Sequence, residues 1–157
     1  MEGIDKLETL YAIWALTFQI VLIIHFALRK WHFGTAMRYG PIVYGLALPA
    51  SAISVLLLLG GKTWSLWIGG FIYLLWGLYG YWVEYLRKIQ WRSPVRWGIF
   101  APYITLYLGT LMFYWWPLVL ISQPLWFVCL ILFIINTWLN ATSHKGPEAE
   151  SRSTIKI

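Results

Sequence analysis

The stretch that decides the fold is residues 97–139, which reads WGIFAPYITLYLGTLMFYWWPLVLISQPLWFVCLILFIINTWL. These 43 residues contain no formally charged side chain. One helix of that length would reach roughly 65 Å, about twice the thickness of the hydrocarbon core of a membrane. The stretch must therefore fold back on itself. Pro117 and Pro124 mark the place, because proline lacks a backbone N–H and disfavours helix at the preceding residue.

Three shorter apolar runs precede this stretch, and each ends at Arg-Lys or at Gly-Gly-Lys. A helix needs about 20 apolar residues to cross the hydrocarbon core. The sequence therefore predicts an all-α bundle of five transmembrane helices over residues 1–142, with spans at 10–28, 42–59, 64–86, 97–116 and 124–139. The polar residues 143–157 are predicted to form a disordered tail.

The composition agrees with this interpretation. Apolar residues make up 60% of the chain and charged residues 11%, against about 25% charged in a soluble domain. A soluble domain of this size could not cover so much apolar surface. The 12 Trp and 10 Tyr residues suit the interface between membrane and water. Because the cations flank apolar spans, the net charge of +6 indicates membrane topology, and we expect no nucleic-acid partner.

The distribution of cations predicts the orientation. With five spans, the first loop, the third loop and the tail share one side of the membrane and hold 10 of the 12 basic residues. Cytoplasmic segments are enriched in Lys and Arg. We therefore expect the amino end outside, the carboxyl end in the cytoplasm, and an integral protein of the plasma (inner) membrane. The ten residues are Arg29, Lys30, Arg38, Arg87, Lys88, Arg92, Arg96, Lys145, Arg152 and Lys156.

Two ionisable residues fall inside the predicted spans, His25 and Glu84. Such residues are functional candidates because burial in a membrane is costly for them, although both lie near a helix end, where a side chain can reach water. Glu84 continues a stripe of small residues and tyrosine in span three, formed by Gly69, Tyr73, Gly77 and Gly80. Small residues at this spacing let helices approach closely. We expect spans three and four to pack along this stripe, and Glu84 to be paired with Arg96, Lys88 or Tyr103.

Span four carries a matching stripe with polar tips, formed by Tyr103, Tyr107, Thr110 and Tyr114. Two interpretations remain open. The rings fill the glycine notches as ordinary packing, or they wall a ligand groove between spans three and four. In the second case the ligand-binding residues are Glu84, Tyr73, Tyr103, Tyr107 and His25.

The third loop concentrates the cations Arg87, Lys88, Arg92 and Arg96 beside two tryptophans. It is either an orientation signal alone or a site for lipid headgroups, since each Lys or Arg beside a span attracts anionic lipid by about 1 kcal/mol.

No sequence motif indicates a reaction. The chain has no P-loop, no HExxH and no CxxC, and Cys129 is its only cysteine. His25 and Glu84 lack a third metal ligand, so we expect no metal, no cofactor and no catalytic residue. The sequence thus favours a non-catalytic protein that binds lipid or another ligand, or an accessory subunit of a membrane assembly. The alternative is a small transporter or sensor of an amphipathic ligand. Expected partners are membrane lipids, including anionic ones, and a membrane protein or second copy of the chain.

Overall fold

The computed structural model describes residues 5–89, 91 and 94–143. These residues form helices and connecting turns without a β-strand. Five helical stretches are long and apolar enough to cross a membrane, which confirms the prediction of an all-α chain with five such helices. They are called spans one to five and comprise Lys6–Trp31, Phe33–Leu59, Trp64–Leu86, Trp97–Leu120 and Gln123–Thr142. The predicted disordered tail lies outside the described residues except for Ser143.

Three of the spans are not regular α-helices throughout. Span two is interrupted at Leu46, between the helices Phe33–Gly45 and Ala47–Leu59. Span three ends in a π-helical turn at Trp82–Leu86, and span four ends in a 3₁₀ turn at Trp116–Leu120. The fold-back that the prolines predicted follows at residues 121–122.

Span two begins at Phe33, much earlier than the predicted start at Ile42. Only His32 separates it from span one, so Arg38 lies on a helix and not in a loop. The apolar run predicted the wrong start because hydropathy identifies only the apolar part of a helix. Backbone hydrogen bonds continue the helix through the more polar residues before Ile42.

Pro41 lies inside the first helix of span two. Proline has no N–H to donate to the carbonyl four residues earlier, which here belongs to Met37. The hydroxyl of Tyr85 in span three donates to this carbonyl oxygen at 3.2 Å. A neighbouring span therefore supplies the hydrogen bond that the proline removes, so the carbonyl oxygen of Met37 is not left without a donor.

The spans form a ring in which consecutive spans are neighbours and span five returns to span one. Aromatic side chains fill the interior of the ring. Phe18 of span one lies between Tyr73 of span three and Tyr114 of span four, with ring centroids 4.6 and 5.0 Å apart. The largest fully buried side chains include Tyr11, Phe18, Tyr73, Trp76, Tyr107 and Tyr114.

The glycine stripe of span three packs mainly against span two. A Cβ added at Gly77 would lie 2.9 Å from Cβ of Ala47, and one at Gly80 would lie 2.5 Å from the Tyr44 ring. Gly69 alone of this set faces span four, at Phe113. The prediction that the stripe faces span four is wrong for Gly77 and Gly80. The spacing of small residues identifies a packing face but not the helix that occupies it.

Candidate functional site

The π-helical turn at the end of span three carries Glu84. In this turn the N–H of Arg87 donates a hydrogen bond to the carbonyl oxygen of Trp82, five residues earlier, at 2.9 Å. Single π turns within membrane or soluble helices occur often at functional sites. Here the turn leaves the Glu84 side chain only 8% exposed, inside the bundle.

Arg29 of span one forms an ion pair with Glu84. Its Nη1 atom lies 3.6 Å from Oε1 of the carboxylate, and the arginine side chain is 7% exposed. The pair leaves no net charge in this part of the interior. From the sequence, Arg29 was expected only in the first loop. A signal for its burial is nevertheless present, because Ala15, Leu22 and Arg29 recur every seven residues and the first two are buried core positions.

Two tyrosines extend this contact to spans two and four. The hydroxyl of Tyr44 donates to Oε2 of Glu84 at 2.8 Å, and it lies 3.0 Å from the hydroxyl of Tyr103. A hydroxyl has one hydrogen to donate, so Tyr103 is the donor to Tyr44. The result is a chain of hydrogen bonds that ends on a carboxylate paired with Arg29. Spans one to four all contribute to it, and we call these four residues the Glu84 network.

Glu84 was predicted to pair with Arg96, Lys88 or Tyr103, whereas this ion pair and this hydrogen bond are made with Arg29 and Tyr44. Tyr103 is linked to Glu84 through Tyr44. The prediction missed Tyr44 because the residue is one of several tyrosines in apolar surroundings, with no charged neighbour in the sequence. Trp91, from the segment between spans three and four, packs its ring 4.9 Å from that of Tyr103 and closes the network on that side.

The other predicted ligand residues lie in the core. The hydroxyl of Tyr73 donates to the carbonyl of Val43 in span two. Tyr107 packs against Trp76 with ring centroids 5.5 Å apart. His25 is half-buried, with its ring centroid 5.4 Å from that of Phe26. The interior between spans three and four is therefore filled by rings at these positions, and a ligand role for Tyr73, Tyr103, Tyr107 and His25 remains a prediction.

Comparison with known protein families, with curated proteins and with solved structures finds no match for this chain.

A groove lies between spans two and three, on the side of span three where Gly77 meets span two. Its volume is about 220 Å³. Gly45 forms part of the wall, and a Cβ added there would find no atom within 4 Å. The groove considered from the sequence, as one of two interpretations, lay between spans three and four, and the groove between spans two and three was not predicted. The walls are Pro41, Tyr44, Gly45, Ala47 and Leu48 of span two, and Leu74, Gly77, Leu78 and Tyr81 of span three.

The predicted headgroup residues that the structure describes lie at the same end of the bundle as the Glu84 network. The guanidinium of Arg87 lies 5.8 Å from the ring centroid of Trp82. Lys88 and Arg96 are exposed, and Arg92 is outside the described residues. Arg38 of span two is exposed at this end too, 5.9 Å from the ring centroid of Tyr39.

At the opposite end of the bundle, one lysine forms ion pairs with two carboxylates. The Nζ atom of Lys62, between spans two and three, lies 2.7 Å from Asp5 and 2.8 Å from Glu8. The hydrogen bond from Lys62 lowers the pKa of the Asp5 carboxyl below its ordinary 3.8. The hydrogen bonds to Asp5 and then Glu8 raise the pKa of Lys62 above its ordinary 10.5.

A buried amide pair joins spans one and five. Nδ2 of Asn136 donates to Oε1 of Gln19 at 2.5 Å and to the Gln19 backbone carbonyl at 3.1 Å. Both residues are fully buried. Asn136 was not among the residues predicted to be functional, although a single amide side chain in an apolar span indicates a contact between helices.

No group of three metal-binding side chains occurs among the residues that the structure describes.

Proposed function

We propose that this chain is a multi-pass protein of the plasma (inner) membrane, with its amino end outside and its carboxyl end in the cytoplasm. We propose further that it is a non-catalytic protein that binds the hydrocarbon chain of a membrane amphipath. The observation that carries this proposal is the apolar groove between spans two and three.

The positions of exposed tryptophans support a membrane location. Trp64 and Trp116 are 56% and 44% exposed at one end of the bundle, and Trp31, Trp97 and Trp138 are 63%, 70% and 57% exposed at the other. Two such belts are typical of a protein whose ends lie among lipid headgroups.

The charges support the orientation. Six described cations lie at the end that holds the Glu84 network. At the other end are Lys6 and Lys62, and Lys62 is paired with two carboxylates. Arg and Lys gather on the cytoplasmic side of membrane proteins. The six cations are Arg29, Lys30, Arg38, Arg87, Lys88 and Arg96.

The size and lining of the groove support a single hydrocarbon chain as the occupant. Pockets for drug-sized ligands usually measure about 300–1,000 Å³. The groove is smaller, at about 220 Å³, and its walls are mainly aliphatic and aromatic carbon. An acyl chain in a bilayer is already surrounded by apolar groups, so its affinity for the groove comes from van der Waals packing against these walls.

A second candidate function is a sensor or transporter of an amphipathic ligand. It is favoured by Tyr44, which forms part of the groove wall and also donates to Glu84. An occupant that displaces Tyr44 would alter the Glu84 network, which joins four spans.

Orientation is tested by single cysteines introduced at positions 63, 93 and 151 in a Cys129→Ser background. Cys129 is fully buried, so its removal is needed only to exclude slow background labelling. An impermeant maleimide should label position 63 from outside, and positions 93 and 151 only from inside. Labelling of 93 and 151 from opposite sides would contradict the five-span topology.

The groove is tested by Gly45→Leu, which places a side chain in the open space of the groove. Gly98→Leu is the matched control, since a Cβ at Gly98 also meets no atom within 4 Å but lies outside the groove. Native mass spectrometry of the protein in mild detergent should detect one retained lipid in the wild type and in Gly98→Leu. Gly45→Leu should lose it. Equal retention in all three proteins would refute the proposed binding site.

A further inference from the structure

The mouth of the groove on span two is marked by Arg38. Pro41, Gly45 and Leu48 recur along the groove wall at intervals of three and four. The same series, continued by one turn toward the cationic end, reaches Arg38, which is three residues before Pro41 and seven before Gly45. Residues at these spacings share a helix face. Arg38 is exposed, so its guanidinium is available at this mouth.

The groove wall on span three ends at Tyr81, whose ring packs against that of Tyr85. The rings of Tyr81 and Tyr85 are stacked, with centroids 5.6 Å apart and planes at 19°. Tyr81 lines the groove and is 40% exposed. Tyr85 is held to span two by its hydrogen bond to Met37, the residue before Arg38. The turn that carries Arg38 is therefore fixed against the end of span three, and a hydroxyl-bearing ring lies at the same mouth.

We infer that the groove holds one acyl chain of an anionic phospholipid from the surrounding bilayer, with its phosphate bound at Arg38. This inference rests on the proposed function and names its ligand. A guanidinium pairs with phosphate through two parallel hydrogen bonds, which an ammonium cannot do. The hydroxyl of Tyr81 supplies one more donor at the mouth.

The position of the groove mouth at the cationic end of the bundle favours a phospholipid as the ligand. The groove runs from the cationic end of the bundle into its apolar part, which places a headgroup at Arg38 and an acyl chain beside Gly45 and Leu74. Arg87 and Lys88 follow span three at the same end and add to the positive potential. A positive potential beside a membrane favours anionic over zwitterionic lipid.

The test uses the full chain in mild detergent, with dioleoyl phosphatidylglycerol and dioleoyl phosphatidylcholine supplied in equal amounts. Native mass spectrometry measures the ratio of the two bound lipids. We expect the wild type to bind more phosphatidylglycerol than phosphatidylcholine. In Arg38→Gln the ratio of bound phosphatidylglycerol to phosphatidylcholine should be about fivefold lower, which corresponds to about 1 kcal/mol for one cation. Total lipid retention by Arg38→Gln should stay close to that of the wild type, because the acyl chain site is intact.

Arg96→Gln tests the competing site, since Arg96 is a predicted headgroup residue that is exposed at the same end but outside the groove. It should lose less of the preference than Arg38→Gln. A preference that survives Arg38→Gln, or that disappears in Arg96→Gln instead, would overturn the assignment of the phosphate to Arg38. Equal binding of both lipids by the wild type would overturn it as well.

The two proposals fail in different ways. If Gly45→Leu keeps the bound lipid, the groove is not the site, and the proposed function fails together with the inference. If Gly45→Leu loses the lipid while Arg38→Gln keeps the preference, the groove remains the site and only the headgroup assignment falls.

Discussion

The hydroxyl of Tyr11 in span one donates to the carbonyl oxygen of Phe113 in span four, at 2.5 Å. Phe113 is four residues before Pro117, which has no N–H to offer to that carbonyl. Tyr11 is fully buried, so no water competes for the hydrogen bond. In both places a tyrosine hydroxyl from another span replaces the backbone donor that a proline lacks. Tyr11 replaces the missing N–H of Pro117, and Tyr85 replaces that of Pro41.

The first prediction follows from this relationship. Tyr11→Phe removes the donor and leaves the Phe113 carbonyl unsatisfied, so it should lower the free energy of unfolding by about 1–3 kcal/mol. The measurement is unfolding by SDS in mixed micelles. Pro117→Ala restores a backbone N–H at the required position. The double variant should therefore be more stable than Tyr11→Phe alone, and a double variant that is no more stable would show that Tyr11 acts in another way.

The second prediction concerns the buried pair of Arg29 and Glu84. Removal of one partner of a buried ion pair usually costs about 3–5 kcal/mol, because the other charge loses its compensation. Arg29→Met should destabilise the bundle by that order, as measured by the same unfolding titration.

Glu84→Gln in the Arg29→Met background removes the second charge and keeps an acceptor for Tyr44. This double variant should recover part of the lost stability. Additive losses in the double variant would mean that the two side chains are not coupled, contrary to their 3.6 Å separation.

The third prediction distinguishes glycines that pack from glycines that line open space. Gly77→Ala places a Cβ 2.9 Å from Ala47 and 3.0 Å from the Tyr44 carbonyl oxygen, and should cost about 1–3 kcal/mol through overpacking. Gly45→Ala meets no neighbour and should be neutral or stabilising, since alanine favours helix. A thermal unfolding midpoint that is unchanged in Gly77→Ala would mean that spans two and three separate at this point.

The fourth prediction concerns pH at the opposite end of the bundle. Lys62 lowers the pKa of Asp5, so their contact contributes to folding above the ordinary pKa of 3.8 and is lost as the pH falls through the lowered value. The raised pKa of Lys62 makes the same contact persist up to 10.5 and disappear as the pH rises further. NMR titration of the Asp5 carboxyl carbon should give a midpoint below 3.8, and Lys62→Gln should move it back up. A midpoint that Lys62→Gln leaves unchanged would contradict the contact.

The five helices were predictable because hydropathy reports a property of each residue in lipid. The 43 uncharged residues from 97 to 139 exceed any single span, and two prolines indicated the fold-back. The start of span two was not predictable in this way. Its first turns lie beyond the apolar run, and the position of Pro41 inside a helix depends on Tyr85, which is far away in the sequence.

The site was predictable only in part. Glu84 was singled out correctly as a buried acidic side chain, because a carboxylate in an apolar span needs a partner. Its pairing with Arg29 and Tyr44 depends on which spans are neighbours. The sequence spacing of one helix does not contain that information. The groove between spans two and three was not predicted for the same reason, since Gly77 indicates that a helix packs closely but not which helix it is.

The amide pair of Gln19 and Asn136 has a consequence for biogenesis. Among the five spans, span one is synthesised first and span five last, so the side-chain oxygen of Gln19 has no donor from Asn136 until span five has been made. A buried polar oxygen without a hydrogen bond is unfavourable by a few kcal/mol. Nδ2 of Asn136 supplies the hydrogen bond and joins span five to span one. The ring of five spans thus closes only after span five has been made, and a nascent chain that stalls before span five has a Gln19 side-chain oxygen without this donor.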